Sequence, residues 1–195
     1  MALRLLRSGV LGVLLAAVAP LPCAEALIPV LSGAQIEEAL EAGRQGVAQE
    51  DFGDEWRLPL PDGAEIVVAT PFSRLAAAAR QATFKGEPLT DKQRQEQIDR
   101  GKGKIQLLVT AFGSTVDFAR WYVPVLLVGG REVKATFTQN ERTALKLPDG
   151  RYAARNVYVF PVEGLPARGT VTLLVRQSVE QRDVLRTLLD LSKFR

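Results

Sequence analysis

Alternating apolar and polar residues dominate the chain from residue 105 onward, and this period of two limits the possible folds more than any other feature. Successive side chains of a β-strand point to opposite faces, so the pattern predicts strands that each bury one face. Gly129-Gly130, between two apolar runs, is typical of a tight hairpin turn. The predicted strands lie at residues 105–112, 117–128, 131–138, 152–160 and 169–176.

The residues nearer the N-terminus predict a helix followed by two short strands. Ser32 with Gln35 three residues later is a capping-box pattern, which predicts an N-terminal helix over residues 32–47. The strands are expected at residues 56–60 and 64–70, because these apolar segments flank a Pro-Asp-Gly turn sequence.

A helical insertion is predicted next, over residues 71–100. Thr70 before Pro71 is typical of a helix start, since proline is favoured at the first helical position. Residues 90–100 contain a single large apolar residue, so this part of the insertion should lie on the surface. Residues 101–104 (GKGK) lack the full phosphate-loop pattern and precede a strand, so we interpret them as a turn.

These elements together predict a mainly β fold, in which two antiparallel sheets form a sandwich of immunoglobulin-like architecture. The N-terminal helix and the helical insertion decorate this sandwich, and the chain is mainly β over residues 104–195. No pair of cysteines is present to pin the sheets together. The alternative is an α+β fold with helices on one face of a single antiparallel sheet.

The predicted strand at residues 117–128 supplies both core residues and candidates for ligand contact. We expect one face to point into the core, so that truncating Trp121 to alanine would cost about 3–5 kcal/mol of stability. Arg120 and Tyr122, on the other face, are the candidate ligand contacts. The residues of the expected inner face are Ala119, Trp121, Val123, Val125 and Leu127.

Residues 178–195 fit two interpretations. Ser178 with Gln181 could cap a helix, or residues 177–182 could form a hairpin loop before a last strand. We favour the strand, because it would pair with the strand directly before it.

The first 26 residues have the pattern of a signal peptide. Arg4 and Arg7 precede a short apolar run, and Ala24 and Ala26 are small residues at the spacing that signal peptidase recognises. The run is too short for a transmembrane helix, which needs about 20 apolar residues. The pattern therefore predicts export to the periplasm or the extracellular space, with a single domain over residues 27–195 and no transmembrane segment in the mature chain.

We expect the native protein to begin at Leu27, because cleavage after Ala26 is the step that this pattern predicts. The intact mass of protein isolated from its native compartment tests the prediction. A chain that starts at Met1, or a lipid attached to Cys23, would contradict it.

The composition excludes several kinds of chemistry. The chain has no histidine, and its one cysteine, Cys23, lies in the predicted signal peptide. Ser-His-Asp catalysis, cysteine nucleophiles and zinc sites with His or Cys ligands are therefore excluded in the mature chain. We assign no catalytic, cofactor or metal residue.

The charge of the mature chain argues against nucleic acid as a partner. Removing residues 1–26 takes away two of the 25 basic and one of the 22 acidic residues, which leaves a net charge of +2. A nucleic-acid-binding protein is expected to have a concentrated basic face instead.

Three functions fit these observations. The first is a non-catalytic binding or accessory module of the cell envelope or extracellular space, which binds another protein or a surface polymer. The second is a carboxylate-dependent glycan hydrolase. The third is an envelope assembly or transport partner that docks through the polar helix at residues 90–100.

Overall fold

A computed structural model describes residues 30–194 of the chain. The predicted signal peptide, with Ala24 and Ala26, lies outside the described residues. Within them, no helix has the length and apolar character needed to cross a membrane.

Three α-helices each begin directly after a capping residue: α1 (Gly33–Gln45), α2 (Pro71–Phe84) and α3 (Asp91–Gly101). Ser32, Thr70 and Thr90 each accept a hydrogen bond from the backbone N–H three residues later. The side chain of that later residue accepts a bond from the cap's own N–H, which completes each capping box.

The described residues also form ten strands in two sheets with antiparallel pairing, so the molecule is mainly β with a few helices, as predicted. Sheet I has the strand order β1-β2-β3-β8-β6, with β7 also on β8, and sheet II has the order β10-β9-β4-β5. The strands are β1 (Arg57–Pro59), β2 (Glu65–Ala69), β3 (Lys104–Gly113), β4 (Tyr122–Val128), β5 (Arg131–Lys134), β6 (Phe137–Gln139), β7 (Leu145–Lys146), β8 (Tyr152–Pro161), β9 (Thr170–Gln177) and β10 (Arg182–Asp190).

Both sheets contribute to one apolar cluster. We call the sheet faces that do so the inner faces. Alternation places every second residue of a strand on this face, and the burial of β8 follows that pattern. The most deeply buried strand residues are Ile66, Val68, Ile105, Leu107, Tyr158 and Phe160 of sheet I, and Leu126, Leu173 and Leu189 of sheet II.

A second apolar cluster lies among the helices. Leu40 of α1, Leu75 of α2 and Trp56 are buried in it, and Val67 of β2 is packed against it. Val67 follows Ile66, whose side chain is in the inner cluster, so the helices cover the outer face of sheet I at β2. Gly43 allows α1 to approach α2 closely, because a Cβ atom there would lie 2.2 Å from the Ala76 carbonyl oxygen.

The prediction for the inner face of β4 is wrong. Trp121 is 50% exposed and Val123 is 45% exposed, whereas Leu126 is fully buried in the cluster shared by the two sheets. Tyr122 is half-buried and packs against the same cluster. The strand also begins later than predicted, because residues 117–121 form turns.

Both faces of β4 carry apolar residues, so alternation alone could not identify the inner one. On the outer face, Val125 lies between β5 and β9 and is only 4% exposed. Arg176 of β9 and Glu132 of β5 form an ion pair of 2.8 Å. Their register positions lie on either side of Val125, so the ion pair spans this valine and accounts for its burial.

The predicted strand at residues 131–138 is divided between the two sheets. β5 pairs with β4 in sheet II, and β6 pairs with β8 in sheet I. The backbone leaves the strand conformation at Ala135 and Thr136, where the chain crosses from one sheet to the other. Periodicity could not show this break, because polar and apolar residues continue to alternate through it.

The strand interpretation of the C-terminal segment is confirmed. β10 pairs antiparallel with β9 along its whole length, and residues 178–181 form the turn between them. Leu189, on the apolar face of β10, is fully buried in the inner cluster. The strand ends at Asp190, and Leu191, the first residue of a short 3-10 helix (Leu191–Lys193), is buried in the same cluster.

Candidate functional site

A groove runs along one side of the molecule, between the ends of the two sheets. It consists of two adjoining cavities of about 330 and about 580 Å³. Phe112, Tyr122 and Val184 line both cavities, so the two form one continuous depression. Groove residues come from β3 and β8 of sheet I and from β4, β9 and β10 of sheet II.

The groove is open because sheet I is incomplete at this point. β2 begins at Glu65, opposite Thr110, so residues 111–113 of β3 pair only with β8. On the other side, β10 is the terminal strand of sheet II and pairs only with β9 among the described strands. Its register shifts between Asp183 and Leu185, which leaves Val184 as an extra residue facing the groove.

Two buried polar atoms at the groove lack hydrogen-bond partners among the described residues. They are the hydroxyl of Tyr158 and Oε1 of Gln177. A buried polar group without a partner costs about 1–3 kcal/mol, and native structures contain few of them. These atoms are therefore the natural points at which a ligand could form hydrogen bonds.

The two tyrosines of the groove stay neutral over a wide pH range. Burial raises the pKa of Tyr158, and the neighbouring Tyr122 raises it further. Burial also raises the pKa of Tyr122, partly opposed by the charge of Arg182. Each hydroxyl can therefore donate one hydrogen bond and accept others.

The structure separates the two residues predicted as ligand contacts. Tyr122 lies in the groove, although it is half-buried rather than exposed. Arg120 is exposed, lies over the ring of Trp121 at 4.9 Å and is not among the groove residues.

Sequence reasoning missed Tyr158 and Gln177. Tyr158 lies on the buried side of a strand, where a tyrosine is expected to serve the core. Only the lack of a partner for its hydroxyl distinguishes it, and this lack is visible only in three dimensions. Gln177 ends β9 without any local pattern that marks it.

Three carboxylates line the outer part of the groove: Asp117, Glu180 and Asp183. Glu180 forms an ion pair with Arg182, and Asp183 lies 3.6 Å from Arg176. Two of the three carboxylates, Glu180 and Asp183, are thus paired with arginines. The groove therefore gives no support to the alternative of a glycan hydrolase. No group of acidic side chains suited to a metal ion occurs within residues 30–194.

Comparison of the chain with protein-family models, with curated proteins and with solved structures finds no significant match. The function must therefore be argued from the groove itself.

Proposed function

We propose that the protein is an exported, non-catalytic binding module that holds an extended segment of another protein in the groove. The observation that carries the proposal is the buried Tyr158 hydroxyl, which has no partner within residues 30–194 and lies beside an edge of β10 that no described strand covers. Export rests on the N-terminal signal-peptide pattern.

The proposal includes an immunoglobulin-like sandwich, and the strand order supports it. In that architecture the strands A to G form one sheet in the order ABED and a second sheet built on C, F and G. Taken in chain order, β2, β3, β6 and β8 take the positions of A, B, D and E. β4, β9 and β10 take those of C, F and G, and β5 flanks β4 as a C′ strand would. α2 and α3 then form an insertion between strands A and B.

The free edge of β10 favours an extended peptide as the ligand. A terminal strand presents unpaired backbone N–H and C=O groups, which can pair with an added strand. Val184, Leu185 and Thr187 of β10 line the groove, so a peptide on this edge would have its side chains beside the cavity.

The groove wall favours an apolar side chain on that peptide. Leu60, Val109 and Val175 line the inner cavity, and Tyr158 is the residue there with an unpaired buried hydroxyl. Burying a peptide side chain against this wall removes apolar surface from water. A carbonyl of the same peptide could accept the hydrogen bond that Tyr158 leaves unmade.

Replacing Tyr158 by phenylalanine is expected to weaken peptide binding without weakening the fold. The change removes only the hydroxyl, which has no partner in the part of the chain that the structure describes. A library of random linear peptides is displayed and selected on the full chain, and the selected peptides are then titrated. Their affinity for Y158F should fall about 2- to 10-fold, as the loss of one hydrogen bond predicts.

Tyr152 provides the matched control, because it lies on the same strand, is half-buried and is not a groove residue. Y152F should bind the selected peptides as the unaltered protein does, and Y158F should melt no lower than the unaltered protein. The proposal fails if the library yields no binders, or if Y152F and Y158F reduce affinity equally.

A further inference from the structure

A separate cavity, of about 810 Å³, lies at the opposite end of β3 from the groove, on the outer face of sheet I. Its floor is a single row of paired residues across β2, β3, β8 and β6: Ala69, Gln106, Val159 and Phe137. Arg74 of α2 and Arg100 and Gly101 of α3 form the wall on the helical side. The cavity thus lies where α2 and α3 stop covering the outer face of sheet I.

Three cations line this cavity: Arg74, Arg100 and Lys104. None of the described residues that line it is acidic. The nearest ion pair is loose, because Arg100 lies 4.0 Å from Glu96 and both side chains are largely exposed. A concave site lined by charge of one sign concentrates the field and attracts an ion of the opposite sign.

Arg74 is fixed at the cavity and keeps one hydrogen-bond donor that no described residue uses. Its Nη1 donates a hydrogen bond of 2.6 Å to Oε1 of Gln106, and its buried Nε has no partner among the described residues. Burial lowers the pKa of Arg74, and the nearby charge of Arg100 lowers it further, although Arg74 remains cationic. An anion bound here would accept the unused hydrogen bond and relieve the repulsion between the two arginines.

The turn at residues 101–104 brings the cations together. Gly101 lies against α2, where a Cβ atom would be 3.0 Å from Cα of Pro71 and 3.7 Å from Cδ of Arg74. Gly103 has a φ of 67°, which favours glycine, and it turns the chain into β3 so that Lys104 faces the cavity. Lys104 and the two glycines of this turn thus take part in a basic site without forming a phosphate loop at a helix start.

We propose that this cavity binds a phosphate monoester, with the three cations around the phosphate group and Phe137 beside its organic substituent. The guanidinium group of arginine can donate two parallel hydrogen bonds to phosphate oxygens. A phosphate monoester also carries up to two negative charges, which offset the charge of several cations. Phe137 is 52% exposed at the rim, where Val159 and Pro161 also present apolar surface. The site lies apart from the groove, so it stands or falls independently of the proposed peptide binding.

Calorimetric titration of the full chain with phenyl phosphate tests the assignment. We expect phenyl phosphate to bind more tightly than inorganic phosphate, because only the ester contacts Phe137, and more tightly than benzenesulfonate, which has a single negative charge. Binding should weaken as salt is added. If inorganic phosphate or benzenesulfonate binds as tightly as phenyl phosphate, the assignment to a phosphate monoester is wrong.

Variants locate the site. Arg74→Gln and Lys104→Gln should each raise the dissociation constant of phenyl phosphate about 10-fold or more, as the loss of a charge-assisted hydrogen bond predicts. Arg142→Gln makes the same change of charge at an exposed residue outside the cavity and should have an effect of less than about 2-fold. Phe137→Ala should weaken binding of phenyl phosphate but not of inorganic phosphate.

Lys104 is exposed, so its variant remains informative if Arg74→Gln fails to fold. Equal losses in Lys104→Gln and Arg142→Gln would overturn the proposal, and so would full affinity in Lys104→Gln.

Discussion

Replacing Phe160 with alanine is expected to lower the free energy of unfolding by about 3–5 kcal/mol, the usual cost of truncating a buried aromatic side chain. Phe160 is fully buried in the cluster that the two sheets share, where it lies opposite Ile105 of β3. Its removal takes away apolar contacts and leaves a cavity that the surrounding strands can close only in part. The loss is a large part of the ~5–15 kcal/mol that stabilises a typical domain. Urea unfolding, followed by far-ultraviolet circular dichroism, measures it.

Trp121→Ala is the control, because it removes a larger aromatic side chain from an exposed position. Half of the Trp121 surface is accessible, and its ring contacts the Arg120 guanidinium. Its truncation should cost about 1 kcal/mol or less, which replaces the larger value expected from periodicity alone. Equal losses in the two variants would show that the burial assigned to β4 and β8 is wrong.

Gly43→Val is expected to separate α1 from α2 and to cost about 3 kcal/mol, the upper part of the usual range for overpacking. A Cβ atom at this position would lie 2.2 Å from the backbone oxygen of Ala76 and 2.7 Å from Cβ of Ala79. Neither atom can rotate away, since both belong to the rigid part of α2. The helices must therefore move apart, which exposes the cluster that contains Trp56.

Trp56 fluorescence, measured with Trp121 replaced by phenylalanine, reports this movement as a shift to longer wavelength. Gly33→Val is the matched control, because a Cβ atom at Gly33 has no neighbour within 4 Å. This variant should change stability by about 0.5 kcal/mol or less. A red shift in both variants, or in neither, would contradict the close packing of α1 on α2.

Local patterns predicted most of the elements because local physics determines them. The capping boxes at Ser32, Thr70 and Thr90 form with residues three positions later, so the sequence contains the whole interaction. The predicted strands failed where the outcome depends on distant residues. β4 has two apolar faces, and packing against sheet I decides which one is inner. The break between β5 and β6 is likewise decided by pairing with different sheets.

The candidate sites were less predictable than the fold, because each is assembled from separate parts of the chain. Tyr122 was predicted from its place on the strand face opposite the expected inner face, whereas Tyr158 required knowledge that its hydroxyl has no partner among the described residues. The basic cavity joins Arg74 to Lys104 through two helices and a turn. The spacing of these cations in the sequence is the same as that of charged residues on any solvent-exposed surface. Only the fold brings them together.

The pairing of β3 with β8 has a consequence for how the molecule acquires its structure. It joins residues far apart in the chain, from Lys104 with Pro161 to Gly113 with Tyr152. Pairings between distant residues form slowly, because the entropy cost of closing a large loop comes before the contacts that offset it. Hairpins such as β9–β10 and the helices need only local contacts and should form earlier. Until β8 has been synthesised, β3 lacks the strand that pairs along this edge, and β4 waits in the same way for the equally distant β9. These two pairings should therefore limit the folding rate, and the unpaired strands should be the parts most exposed to aggregation.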